Sequence, residues 1–180
     1  MPERRRYWIG LALALCTMLP LAGHGAELDR AQTLLVEWLA ELPPNSGVAV
    51  LRDKDRVSLR ISTGLIFEPD STMLKADAAE SIPLGAAVRL LKRRRTLSAQ
   101  ILVYTDSIGG DSANQSFSAA RAKALASWFN AQRIPASRVH SRGAGTQDAL
   151  SSNETPEGRS ENRRVEISFA RVRSSPAKSP

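Results

Sequence analysis

The sequence predicts an α+β fold, and three observations carry that expectation. Residues 101–104 (Ile-Leu-Val-Tyr) are a short apolar run, long enough for a buried strand and too short for a helix. A helical pattern follows it, after breaks at Thr105-Asp106 and Gly109-Gly110. Val57, Leu59 and Ile61 alternate with polar residues behind the turn-forming Asp53-Lys54-Asp55, and Arg164 opens a second alternating run, RVEISF.

The chain has 180 residues, enough for one ordinary domain with additions, and 42% of them are apolar, the proportion of a globular protein with a core. The net charge is +7 and the pI about 10.3. That balance fits nucleic acid, an anionic membrane or an acidic polymer. The cations are scattered except at Arg4-Arg5-Arg6 and Lys92-Arg93-Arg94-Arg95.

Residues 1–26 have the parts of a secretory signal peptide. The arginine triplet is the positive start, residues 7–22 are apolar, and small residues surround a cleavage position near Gly25 or Ala26. The apolar stretch is shorter than the ~20 residues of a membrane-spanning helix, and Pro20 interrupts it. An uncleaved anchor is the alternative. Cys16, the single cysteine, lies inside this stretch behind the bulky Leu15, which argues against a lipidation box. The mature chain is then cysteine-free, without intramolecular disulfides or thiolate metal sites. An exported, basic, cysteine-free chain fits a Gram-negative periplasm.

Four segments are expected: the leader 1–26, an N-terminal helix and strand over 27–55, a main domain over 56–171, and a disordered tail over 172–180 rich in Ser, Pro and Lys. Leu28, Ala31, Leu35, Trp38 and Leu42 share one face of a helix over 27–41, which Pro43-Pro44 ends. Residues 48–51 and 57–61 form a hairpin. A second helix covers about 76–92. Because an interior proline costs ~3 kcal/mol, either it kinks or its regular part begins with Pro83 in the first turn. The basic run 92–95 favours the negative end of that helix's dipole; an accessory contact with an anionic polymer or lipid surface is the functional alternative. The third helix runs from Ala113, capped by Asp111 or Ser112, with Phe117, Ala120, Ala124, Leu125 and Trp128 on its apolar side. Residues 139–142 are a short strand, 146–161 an irregular polar loop, and 164–169 the last strand.

On the third helix Asn114, Ser118 and Arg121 recur at i, i+4 and i+7 and make one polar stripe. Asp106 ends the strand that feeds this helix. A crevice flanked by Asp106 and Arg121 suits a zwitterion, with the carboxylate taking an ammonium and the guanidinium a carboxylate. A structural Asp106–Arg121 ion pair tying loop to helix is the plainer alternative.

Three blocks, in order and at family spacing, resemble the outer-membrane-protein-A-like C-terminal domain. YTDSIGGDSANQSFSAARA (residues 104–122) resembles its TD-x-x-G…N-x-x-L-S-x-x-RA block. GAGTQDALSSNETPEGRSENRRVEI (143–167) resembles its G-x-G…N-x-T-x-x-G-R-x-x-NRRVEI block, and LIFEPDSTML (65–74) its entry strand. The resemblance covers about residues 57–171. It implies a βαβαββ two-layer sandwich with helices on one face of a mixed sheet, here preceded by an N-terminal helix and strand. It also implies non-covalent binding of peptidoglycan through the meso-diaminopimelate of its stem peptide, as in peptidoglycan-associated lipoproteins and flagellar stator B subunits. Carried over by position, it places ligand contacts on Asp106, Asn114, Arg121 and Arg163, with backbone N–H groups of Ser107 and Ile108 and the side chain of Glu68 as further contacts. Tyr104, Val103, Phe117, Glu68 and Ala149 depart from the usual family residues, but no charged binding position is lost.

No catalytic residue, metal ligand or cofactor is expected. His24 belongs to the leader, His140 stands alone on a strand, and Gly143-Ala144-Gly145 is a turn, not a phosphate cradle. The expected partner is peptidoglycan, in the periplasm or against the outer membrane. A basic envelope module that docks a protein partner through residues 27–51, or binds an anionic surface, is the alternative. Nucleic acid is not expected, since no stacking aromatics accompany the basic run.

Overall fold

The computed structural model describes residues 5–7, 24–79 and 81–172. The elements are β1 (Arg5–Tyr7), α1 (His24–Leu39), β2 (Val48–Asp53), β3 (Arg56–Ser62), α2 (Ile82–Arg93), β4 (Leu97–Tyr104), α3 (Asp111–Ala131), β5 (Val139–Gly145), α4 (Pro156–Asn162) and β6 (Arg164–Arg171). One sheet has the order β1-β2-β3-β6-β4-β5. All neighbours are antiparallel except β4 and β5. The sheet is therefore mixed, and the final strand β6 inserts between β3 and β4.

Register aligns one face of the sheet with the helices. Val50 sits opposite Leu59, Leu59 opposite Ile167, and Ile167 opposite Ile101. Directly opposed residues project to the same side. These strand residues join Leu28, Leu35 and Leu39 of α1, Leu84, Leu90 and Leu91 of α2, and Leu125 and Phe129 of α3 in a single apolar cluster. The three longer helices thus cover one face, as expected for the α+β sandwich. Because Leu28, Ala31, Leu35 and Leu39 are buried in this shared core, the buried stripe of α1 is committed to its own domain. Trp38 and Leu42, expected within that stripe, are only partly buried beside it.

Several boundaries differ from expectation. Strand β4 begins at Leu97, four residues before the apolar run, because Ala99 still alternates into the core while Gln100 faces out. Helix α2 is regular only from Ile82, with Pro83 in its first turn, and residues 76–79 form a separate 3-10 turn. The segment expected to be irregular contains the short α4. Its signals are a capping threonine and a first-turn proline: Thr155 Oγ1 accepts from Gly158 N at 3.1 Å. Thr155→Ala should lower stability by ~1 kcal/mol in urea denaturation; an unchanged midpoint would mean α4 does not depend on its cap.

Helix α3 differs most. Its N-cap is Gly110, with φ of 80°, and neither Asp111 nor Ser112 caps it. Of the expected apolar side only Leu125 is buried, while the polar stripe Asn114, Ser118 and Arg121 is buried instead. The first half of α3 packs on loops and on β5, whose carbonyl and N–H groups need polar partners.

Of the expected leader, the described residues are 5–7, paired with β2, and 24–26, which open α1. The rest of 1–26 and the tail 173–180 lie outside the described residues. Among the described residues no helix is long and apolar enough to cross a membrane.

Candidate functional site

The candidate site is built where β4 ends, between α3, α4 and the loop after β3. Thr105 N donates to Gly145 O at 2.8 Å, which joins the ends of β4 and β5. The next residue, Asp106, is 8% exposed. Its Oδ1 accepts from Ile108 N at 3.0 Å and closes the turn. Its Oδ2 accepts from Arg163 Nη1 at 2.6 Å. Asn114, 7% exposed, donates from Nδ2 to the carbonyls of Asp106 (3.1 Å) and Ile108 (2.9 Å). The first turns of α3 therefore clamp the loop that presents the carboxylate.

Arg163 caps the end of α4 and the adjacent Arg164 opens β6, and their side chains enter different surroundings. The side chain of Arg163 is 43% exposed and bridges to Asp106. Arg164 is 3% exposed, lies 3.5 Å above the Tyr104 ring, and donates from Nε to Glu166 Oε1 at 3.0 Å. Its Nη2 also holds the Asp148 carbonyl at 2.9 Å. Arg164 is a brace. Arg163 keeps four N–H groups uncommitted in the described contacts, one of its five donors being used. It also lines a groove of about 880 Å³, bordered by Pro43, Leu65 and Leu150 and by the carboxylates Glu157 and Glu161.

Arg121 departs from the expected pairing. It is 7% exposed and does not bond Asp106. Its Nε donates to Ser71 O at 2.7 Å, and its Nη2 lies 3.5 Å from Glu68 O. The guanidinium lies 4.2 Å from the Phe117 ring centre and 4.9 Å from that of Phe67. Phe117 is one helical turn earlier, so the side chain runs back along α3 towards Asn114. Burial pulls the guanidinium below its ordinary pKa, and the charge of Asp70 partly offsets this. The expected direct Asp106–Arg121 ion pair is thereby corrected. The Asp106 carboxylate is claimed by Arg163, and Arg121 is held by carbonyl dipoles and two aromatic faces.

The remaining expected contacts lie in the loops beside Asp106 and Arg121. The N–H of Ser107 is taken by Asn153 Oδ1 at 3.2 Å and that of Ile108 by Asp106, so both serve the loop itself. Glu68 is engaged through its backbone, while its side chain is exposed. Ser118 Oγ accepts from Gly145 N at 2.9 Å and so pins β5 to α3. His140 is exposed.

Residue-by-residue reasoning missed two supports. Asn153 is oriented by Asn162 Nδ2 at 2.9 Å, and Asn162 is 1% exposed while its Oδ1 accepts from the N–H groups of Leu150 and Ser151. Both lie inside the N-E-T…E-N-R-R block, so the block was visible although its chain of amides was not.

Residues 66–163, more than half of the chain, match the OmpA family. The probable lipoprotein YiaD of Escherichia coli strain K12 is 35% identical over 125 residues, covering 69% of this chain and 56% of that protein. The chain thus spans little more than half of that relative's length. The peptidoglycan-binding protein ArfA of Mycobacterium tuberculosis is 42% identical over 64 residues, 36% of this chain and 20% of that one. In overall shape the fold is similar to the crystal structure of a putative MotB like protein from Desulfovibrio vulgaris. The TM-score is 0.71 and the identity 22%, covering 87% of this chain and 99% of that one. By the match across residues 66–163, which takes in Asp106, Asn114, Arg121 and Arg163, the chain belongs to the OmpA family.

Proposed function

We propose that this chain binds peptidoglycan non-covalently in the periplasm, through the diaminopimelate end of the stem peptide, and anchors itself or its assembly to the wall. It is a binding module, not an enzyme. Residues 1–26 serve as its export signal. Family membership supports this, as does the relative named for peptidoglycan binding.

One observation carries the proposal. Arg121 is more than nine-tenths buried, yet among the described residues no carboxylate lies within ion-pair distance of it. The charge of Asp70 offsets this burial only in part, and a ligand carboxylate arriving there relieves the remaining cost. Asp106 supplies the opposite charge for the ligand's ammonium, and Arg163 the exposed guanidinium for a second carboxylate. Asn114 acts indirectly by holding the loop, since both of its Nδ2 bonds go to that loop. Ser107, Ile108 and Glu68 contribute position and shape at the rim.

Hydrogen bonds to charged groups contribute about 1.5–3 kcal/mol each. After the cost of ordering a mobile peptide, a single site binds with roughly micromolar to millimolar affinity. Many neighbouring stems then raise retention on the polymer.

Co-sedimentation with purified sacculi tests the proposal. Arg163→Ala and Asp106→Ala should each lower the bound fraction about tenfold or more while the melting temperature stays within a few degrees. Free diaminopimelate should compete. Undiminished sedimentation of both variants rejects the site. Arg121→Ala is a poorer probe, because it also releases the 68–71 loop.

A further inference from the structure

Residues 81–105 contain no carboxylate, yet hold Arg89, Lys92, Arg93, Arg94 and Arg95. Arg89, Lys92, Arg93 and Arg95 are exposed. None of these four forms an ion pair among the described residues. On the neighbouring α1, one acid is engaged elsewhere and another stays unpaired among the described residues. Glu27 is taken by Arg171 and by the Thr96 hydroxyl, and Glu37 is an exposed carboxylate of α1 that makes no ion pair among the described residues.

The fold concentrates this charge. Arg89 and Arg93 lie 5.0 and 5.3 Å from the Trp38 ring centre, so their guanidinium groups are held on one side of α2. Arg138 reaches the same corner, donating to the carbonyls of Leu91, Arg94 and Leu97. Burial lowers the pKa of Arg138, and the charge of Arg95 lowers it further, so the two like charges are close enough to interact. The end of α2 alone gains little from so many cations, since the dipole acts only within the last turn.

The location matters as much as the charge. The run precedes Leu97, where β4 begins, whereas the candidate site follows Tyr104, where β4 ends. Eight strand residues separate the two poles by about 25 Å. The exposed cations sit on the last turns of α2 and the turn after it, and the groove beside Arg163 does not include them, so they suit an extended plane of charges better than one enclosed ligand. Trp38, partly buried between two arginines, has the apolar body and polar tip of an interfacial side chain.

We propose that this pole is a docking surface for an anionic phospholipid membrane, so that the protein can hold the wall at one end and a lipid surface at the other. The choice of a lipid surface rests in part on the exported location under the proposed function. The lipid contact itself is independent of the peptidoglycan site. Each basic side chain near such a surface contributes roughly a fivefold gain in affinity, which salt screens within a Debye length.

Vesicle flotation of the full chain decides the matter, with phosphatidylcholine vesicles compared to vesicles containing about one third phosphatidylglycerol. The expected result is at least tenfold tighter binding to the anionic vesicles, lost at high salt. R89Q/K92Q/R93Q/R95Q should abolish that excess and leave sacculus sedimentation unchanged, which also shows that the variant is folded. The fourfold variant keeps residues 1–26 unchanged, so the difference between it and the parent excludes any contribution from Arg4-Arg5-Arg6 and the apolar stretch behind them. Equal binding to both vesicle types, or an anionic preference undiminished by the fourfold substitution, overturns the proposal. Salt-sensitive binding to heparin without binding to anionic vesicles overturns it too, in favour of a soluble polyanion. Failure of sacculus binding by the unaltered chain would count against the wall site alone.

Discussion

Glu166→Ala is expected to cost the folded state about 3–5 kcal/mol, a third or more of the stability of an ordinary domain. Glu166 lies on β6, on the face of the sheet away from the helices. Its Oε1 accepts from Arg164 Nε at 3.0 Å and from Arg60 Nε and Nη2 at 3.1 and 2.9 Å. Removing the carboxylate leaves the Arg164 guanidinium, 3% exposed, with carbonyls and the Tyr104 ring but no counter-charge. Urea denaturation measures the loss. A shift below about 1 kcal/mol would mean the network is dispensable. Burial alone would raise the pKa of Glu166, but the hydrogen bond from Arg164 and the charges of Arg60 and Arg164 outweigh it and hold the group below its ordinary 4.5. A depressed carboxylate stabilises the fold fully above that ordinary value, and the contribution disappears as pH falls below it. Glu166→Gln, which keeps the shape and removes the titration, should therefore flatten the loss of stability with acid. Tyr104, whose pKa is raised by burial and then by Glu166, should in turn ionise more readily in the glutamine variant.

The second large effect is expected at Gly143. A Cβ built there would stand 2.2 Å from Ala119 N and 2.6 Å from Ala119 Cα, both backbone atoms of α3, and 2.5 Å from Ser118 Oγ. A side chain cannot be relieved by a rotamer change when its neighbour is helix backbone, so α3 must move off β5. Gly143→Ala should cost roughly 1–3 kcal/mol and Gly143→Val more. Because α3 carries Asn114 and Arg121, either variant should also reduce sacculus binding in proportion to the displacement. Gly85 provides the contrast. It lies within α2 and a Cβ there meets nothing within 4 Å. Gly85→Ala should raise stability by about 0.5–1 kcal/mol, through the smaller entropy lost on folding. Thermal melts of the three variants test all of this together. A Gly143→Ala protein as stable as the parent would show that the α3–β5 contact yields more easily than its geometry implies.

Local patterns determined the α+β class, the five main strands, the positions of α1 and α3, and the family blocks. Alternation at Val57, Leu59 and Ile61 and the helical spacing of Leu28, Ala31 and Leu35 are local consequences of burying one side of a strand or helix, so they are written into residue order. Asp106 and Arg121 were legible as candidates from the residues themselves, whereas Arg163 and the ligand role of Asn114 came only from the resemblance of the blocks that hold them. Their partners were not legible. Whether Asp106 meets Arg121 or Arg163 depends on β6 inserting between β3 and β4, which brings the end of α4 to the end of β4 across 57 positions of sequence. The buried side of α3 was misjudged because hydrophobicity alone marks the core, whereas here backbone groups of the 105–108 and 68–71 loops demanded polar side chains. Local spacing set which residues are present on each face; only the long-range pairing of strands decided which charge faces which.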